Sequence, residues 1–200
     1  MLKNPKISIC IPIHDMQNSA FFLKRCIESI EKQTYKNYEV VITTHGKMAE
    51  NTNEAIKRAK GDIIKILYMD DYLATQDSLQ RIADNFKRGW LVTSCAHDYG
   101  DGIPQKIHLP KWNENIVKGE NTIGSPSVLA FENNDPELFD EKMSWLLDCD
   151  LYHRLYKRYG EPTIIDSINV IIGVGTHQMT NILTKEEKLM EHNYLETKYV

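Results

Sequence analysis

Residues 61–71, GDIIKILYMDD, constrain the fold more than any other stretch of this chain. After a turn glycine, Ile63, Ile64, Ile66 and Leu67 make an apolar, β-branched run of the kind buried in a parallel sheet, and the run stops at two adjacent carboxylates, Asp70 and Asp71. Ligands of open α/β sheets bind beyond the carboxyl ends of the strands. Mg²⁺ and Mn²⁺ are commonly held there by one or two carboxylates, with substrate phosphates completing the shell. The acid pair has two readings: a cation site, or a solvated turn capping a helix that begins near Asp77.

The rest of the chain alternates strand and helix patterns around this segment. ISICIPI (7–13) suits a strand buried on both faces, and Asn18 or Ser19 can cap a helix with Phe22, Leu23, Cys26, Ile27 and Ile30 on one face. YEVVIT (38–43) reads as a second buried strand. A short helix from Asn51 or Thr52 through Ala59 is then closed by Gly61. Leu79, Ile82, Ala83 and Phe86 space a third helix, and WLVTSCA (90–96) a fourth strand. This alternation predicts a doubly wound α/β sheet. Residues 103–124 read as loop with a short helix at most, SVLAFE (127–132) as a strand, and Leu147, Leu151 and Leu155 as a helix ending at Gly160. Residues 163–174 are extended, and Thr184-x-x-Glu187 opens a last helix with Leu189, Met190, Tyr194 and Leu195 as its apolar side.

Composition bounds the function classes. With 42% hydrophobic and 26% charged residues over 200 positions, the expectation is one globular domain. A net charge of −4 gives no general footprint for nucleic acid, so no nucleic-acid partner is expected. Cys10, Cys26, Cys95 and Cys149 are widely spaced and form no C-x-x-C, which argues against a zinc knuckle or disulfide framework. ISICIPI is too short for a secretory core, and no stretch approaches the roughly 20 apolar residues of a membrane span. A cytoplasmic protein without a transmembrane segment is expected, with peripheral attachment to a membrane left open.

Four segments, ISICIPIHD, ESIEKQTYKNYEVVI, GDIIKILYMDD and WLLDCDLYHRL, resemble in order and spacing the family 2 glycosyltransferases of GT-A fold, over roughly residues 6–180. The resemblance implies a Rossmann-like three-layer α/β/α sandwich with a mainly parallel central sheet. It further implies one domain over 1–200: a nucleotide and metal half over about 1–98, an acceptor and base half over about 99–180, and a C-terminal helix over about 184–198. The implied reaction moves a sugar from a nucleotide-diphosphate sugar, a UDP-sugar by preference, to a glycan, lipid-linked or protein hydroxyl, by inversion and with Mn²⁺ or Mg²⁺. By match to the family's segments, Asp70 is the metal-binding acid and Tyr68 stands where a first acid is usual. Pro12, Ile13, His14, Thr44 and Asn53 fall on the donor side, with Thr44 replacing an acid that reads the base. Asp148 matches the catalytic base, Asp150 an acid on the acceptor side, and His177 a late histidine that reaches the metal or diphosphate.

Glycosyl transfer needs charge neutralised on the leaving diphosphate and a base for the acceptor hydroxyl, jobs that Asp70 and Asp148 suit. The dipole of a helix start would keep Asp148 ionised; equally, Asp148 and Asp150 serve there as first-turn residues placed for helix stability. Trp145, just ahead of them, can stack on an acceptor sugar or pack in the core. Tyr194 and Tyr199 read as packing. Two other classes remain. His14, His45 and His97 at strand ends suggest a metal-dependent hydrolase, although no H-x-H or H-E-x-x-H spacing occurs. The missing acids at Thr44 and Tyr68 suggest a nucleotide-sugar binding module without turnover.

Overall fold

In the computed structural model, which describes residues 3–199, one eight-stranded sheet organises the chain. Its strands are β1 (Ile7–Pro12), β2 (Tyr38–Thr43), β3 (Ile63–Ile66), β4 (Tyr72–Leu73), β5 (Trp90–Asp98), β6 (Gln105–His108), β7 (Leu129–Glu132) and β8 (Thr163–Gly173). They run in the order β2-β1-β3-β7-β5-β8-β4, with β6 added to β5. The three longest pairings, β1 with β2, β1 with β3 and β5 with β8, are parallel. β7 runs antiparallel between β3 and β5 and joins the two parallel groups. The helices are α1 (Ser19–Glu31), α2 (Met48–Arg58), α3 (Ser78–Asn85), α4 (Leu147–Tyr159), α5 (Met179–Ile182) and α6 (Lys185–Tyr199).

The apolar runs go where their composition sends them. Every residue of β1 and β3 is buried, which is why neither strand alternates in sequence. All four cysteines are buried and free, small apolar side chains as expected. β2 departs from its predicted place: it is an edge strand, with Val40 and Ile42 exposed.

Other boundaries are corrected by local chemistry. α2 starts at Met48, three residues earlier than Asn51, because Glu50 Oε2 accepts from the Lys47 amide (2.8 Å) and closes the first turn. Gly61 is not a left-handed helix stop; a Cβ there would lie 2.5 Å from the Lys6 carbonyl oxygen, so glycine is required by close backbone approach. Residues 103–124 contain β6 and a 3-10 turn at Glu114–Lys118, and α5 was not foreseen.

α6 shows the largest departure. Its Thr184–Glu187 capping box forms, but Leu189 and Met190 are 60% and 70% exposed, and only Leu195 of the expected stripe is fully buried. Polar tethers hold this helix instead. Glu191 accepts from the amides of Ser144, Trp145 and Leu146 at 2.8–2.9 Å, and Tyr194, Lys198 and Tyr199 donate to Asp140 or Asp150. No helix among the described residues is long and apolar enough to cross a membrane.

Candidate active site

The carboxyl ends of β1, β3, β5 and β8 converge on Asp70. His177 Nε2 lies 2.9 Å from Asp70 Oδ2, both side chains being less than one-fifth exposed. This hydrogen bond raises the His177 pKa, against an opposing effect of burial. The structure thus joins two residues expected on one metal although they stand far apart in the chain. The loop carrying Asp70 is fixed from two sides. Arg25, stacked over the Tyr72 ring at 4.3 Å, donates to the Asp70 carbonyl (2.6 Å) and to Asp98 Oδ2 (2.6 Å). The Gly173 amide donates to Asp71 Oδ1 (2.8 Å). Between α1 and residues 173–177 opens a pocket of about 200 Å³, lined among others by Asn18, Phe22, Arg25, Asp98, Thr176 and His177.

Beneath Asp70, β3 carries a fully buried lysine. Lys65 Nζ donates to the Ser127 and Leu129 carbonyls, and burial pulls its pKa down to about 7 despite the nearby Asp71. Burial next to Asp70 pushes Asp71 well above the carboxylate range. Asp71 is therefore turned inward, and Asp70 alone of the pair faces the site. The two adjacent acids thus differ in setting: Asp71 is buried in the scaffold, and Asp70 is partly exposed beside His177.

On the α4 side, Asp148 is partly exposed at the helix start. Burial raises its pKa to about 6, against the Cys149 amide (2.8 Å) and Asn121 Nδ2 (2.7 Å), which donate to its two oxygens. The expected control by the helix dipole is outweighed: desolvation makes this carboxylate more basic than usual. Asn121 cannot flip away, since its Oδ1 accepts from the Ile123 and Gly124 amides, both at 2.9 Å.

The other expected site residues divide. Pro12 is buried at the end of β1, Ile13 and His14 are half-buried beyond it, and Thr44 is exposed at the end of β2. His14 is drawn toward Asp70 by a hydrogen bond from its amide to Met69 Sδ (3.3 Å); burial lowers its pKa, Asp70 partly restoring it. Asn53 is corrected. It is 1% exposed, and its amide group is spent on Phe139 and Glu141, so it joins α2 to the 139–141 turn and does not face a ligand. Asp150 is corrected too: its side chain is fully buried and paired with Arg154, Lys198 and Tyr199, out of reach of any acceptor. Trp145 is half-buried against the edge of the core, its indole donating to Thr180 Oγ1 (3.1 Å) and lying edge-on to His192. Tyr194 and Tyr199 pack against the core as expected and also donate hydrogen bonds to Asp140 and Asp150.

Sequence reasoning missed Arg25, Asp98, Asn121, Asn51 and Lys65. Asn51, expected only as a start of the second helix, donates to the Ile13 carbonyl (2.9 Å) and accepts from the His45 amide (3.2 Å), tying together the loops after β1 and β2. Lys65 was visible as a lone charge inside an apolar run. Nothing in the spacing of Arg25 or Asn121 marks them. Among the described residues, seven buried side-chain polar atoms lack a partner, and four of these belong to His14, Arg25, Tyr68 and Asp71. Such atoms are rare in folded proteins; those of His14, Arg25 and Tyr68 belong to residues around Asp70, whereas that of Asp71 lies in the core. Among the described residues, no three His, Cys, Asp or Glu side chains cluster as a metal site.

No family model matches the chain. Glycosyltransferase GlyA of Streptococcus pneumoniae is 30% identical over 135 residues, 68% of this chain and 18% of that protein. An uncharacterized glycosyltransferase of Rickettsia felis is 27% identical over 142 residues, 71% of this chain and 21% of that one. The chain therefore spans about a fifth of the length of these curated relatives. Among solved structures, S. aureus TarS 1–349 in complex with UDP-GlcNAc superimposes with a TM-score of 0.72 at 18% identity, over 96% of this chain and 66% of that one. The mannosyltransferase PcManGT from Pyrobaculum calidifontis, in complex with GDP-Man and Mn²⁺, gives 0.63 at 14% identity, over 98% and 65%. The chain is thus a relative of the glycosyltransferases and has their GT-A-like fold.

Proposed function

We propose that the chain moves a sugar from a nucleotide-diphosphate sugar to an acceptor hydroxyl, with inversion and with a divalent cation. What supports this reading is the hydrogen-bonded Asp70–His177 pair beyond the strand ends together with a carboxylate in the first turn of α4 whose pKa burial raises to about 6. One carboxylate and one imidazole form a mixed oxygen and nitrogen donor set, which suits Mn²⁺ better than Mg²⁺ and leaves the remaining positions for phosphate oxygens. Bound there, the cation would neutralise charge on the leaving diphosphate. Asp148 accepts the proton of the acceptor hydroxyl as that oxygen bonds to the anomeric carbon and the bond from this carbon to the diphosphate oxygen breaks. Asn121 holds the carboxylate in place for this step. Pro12, Ile13, His14 and Thr44 form the donor side.

A UDP-sugar is the favoured donor, UDP-GlcNAc being bound by TarS. Thr44 offers the base a hydroxyl and no carboxylate, so discrimination among UDP, dTDP, GDP and CDP is expected to be loose. The acceptor is a glycan, lipid-linked or protein hydroxyl. Tyr68 and Thr44, in place of acids, are what favour the second reading, a binding module without turnover.

Thermal shift and donor hydrolysis with UDP-GlcNAc and GDP-mannose, with and without Mn²⁺, test both. The native chain should bind only with the metal and turn the donor over, and Asp70→Ala should lose the metal-dependent part. Metal-supported binding that survives Asp70→Ala would overturn the metal assignment, and binding without turnover would select the second reading.

A further inference from the structure

Residues 99–109, which lead out of β5 and through β6, carry a concentration of apolar side chains that the fold does not bury. Four of the eleven large apolar side chains exposed among the described residues fall in this run: Tyr99 (44%), Ile103 (62%), Ile107 (64%) and Leu109 (60%). Folded chains seldom leave so dense a group in water without a partner for it. The run is also prominent. A Cβ added to Gly100 or Gly102 would meet nothing within 4 Å, so the turn between β5 and β6 stands clear of the rest of the protein.

The run borders the candidate site at both ends. His108 turns inward, its Nε2 lying 3.1 Å from the carbonyl oxygens of Thr122 and Ile123, beside the turn from which Asn121 reaches Asp148. Its neighbours Ile107 and Leu109 are left to solvent, as alternation along a strand requires. At the other end, Gly100 lines the pocket beside His177.

Charge decides among occupants. Residues 99–111 hold two exposed lysines, Lys106 and Lys111, against one carboxylate, Asp101, in a chain whose net charge is −4. Asp101 is turned back on its own loop, accepting from the Ile103 amide (2.9 Å) and from Gln105 Nε2 (3.2 Å). Lys106 Nζ lies 4.9 Å from the centre of the Tyr99 ring, an ammonium and a phenol side by side as such groups stand at the headgroup level of a bilayer. A second copy docked by a two-fold contact centred on this patch would set lysine near lysine, whereas an anionic bilayer accepts both charges and receives an apolar turn of any shape.

We propose that the turn between β5 and β6 docks the protein on an anionic lipid surface, with Ile103, Ile107 and Leu109 entering the boundary between headgroups and acyl chains and Lys106 and Lys111 meeting lipid phosphates. An acceptor carried on a lipid would there be presented beside Asp148; that consequence, unlike the docking, rests on the glycosyl-transfer reading.

Co-sedimentation with vesicles of phosphatidylcholine alone, and of an equal mixture of phosphatidylcholine and phosphatidylglycerol, tests the docking. The native chain should bind the mixed vesicles, release them as salt is raised, and ignore the neutral ones. Lys106→Gln with Lys111→Gln should weaken binding about fivefold for each charge removed. Ile107→Ser with Leu109→Ser should weaken it about tenfold or more. The altered side chains are exposed, so both variants should melt like the native chain. Because all four native cysteines are buried, Ile103→Cys can carry a single polarity-sensitive fluorophore, whose emission should shift to the blue on the mixed vesicles. Absent binding, equal binding to both vesicle types, binding that survives both pairs of substitutions, or a label that does not shift would overturn the proposal. Self-association lost in Ile107→Ser with Leu109→Ser would overturn it too and assign the patch to a second copy. No donor or metal enters this assay, so its failure leaves glycosyl transfer standing, and a failure of nucleotide sugars to bind leaves the docking standing.

Discussion

At Asp148, burial and hydrogen bonding pull in opposite directions, and burial wins. An acid whose pKa is raised to about 6 is protonated below that value and ionised above it. A base must be ionised to act, so kcat/KM should fall as pH drops through about 6, giving an acid limb well above that of an ordinary carboxylate. Asn121→Ala removes a bond that favours the charged form, and the limb should move to higher pH. Asp148→Asn should lower kcat by about 10²–10⁴-fold with donor affinity nearly unchanged, as single-turnover kinetics will show. An unchanged pH profile in Asn121→Ala would remove Asn121 from its supporting role. Asp148 was singled out through the resemblance of WLLDCDLYHRL to a family segment, since the residues alone read it as a first-turn acid placed for helix stability. Asn121 was not, because it reaches Asp148 from a segment without periodicity, and a loop asparagine looks the same whether it turns the chain or orients a base.

Among the elements, α6 and α4 form the pair on which the position of the base depends. Glu191 on α6 accepts the amides of Ser144, Trp145 and Leu146 and so fixes the turn that leads into α4, whose N-cap residue Leu146 makes no side-chain cap of its own. Glu191→Ala should destabilise the protein by about 1–3 kcal/mol, a fall of roughly 2–12 °C in melting temperature for a chain of this size. Turnover should fall with it, because Asp148 sits on the turn thus held; a variant that melts normally would show that α4 caps itself. The helix was readable from its Thr184–Glu187 box, but its docking face was misread. An apolar stripe identifies a buried face only when apolar contacts do the holding, and Glu191, Lys198 and Tyr199 tie this helix down through charged and polar groups that sequence patterning assigns to solvent.

Across the whole molecule, the parallel strands of the fold were plain from their continuous apolar runs, while the antiparallel insertion of β7 was not, since a buried strand reads alike in either direction. The candidate ligands at residues 14, 44, 70, 148 and 177 come from well-separated parts of the chain, so binding should stabilise the entire fold and not one loop. A donor and Mn²⁺ at a hundred times the dissociation constant should add about 2.7 kcal/mol, roughly 5–11 °C in a melting scan, and a chelator should erase it. Gly173 gives this assembly one more property. A Cβ there would stand 2.3 Å from the Asp70 carbonyl oxygen, and its amide bonds to Asp71, while β8 pairs with β4 immediately after the acids. The segments bearing Asp70 and His177 are thereby bolted to a common ledge. In the proposed cation site this pair would act as a chelate: once a cation met one donor, the second would already be present at high effective concentration.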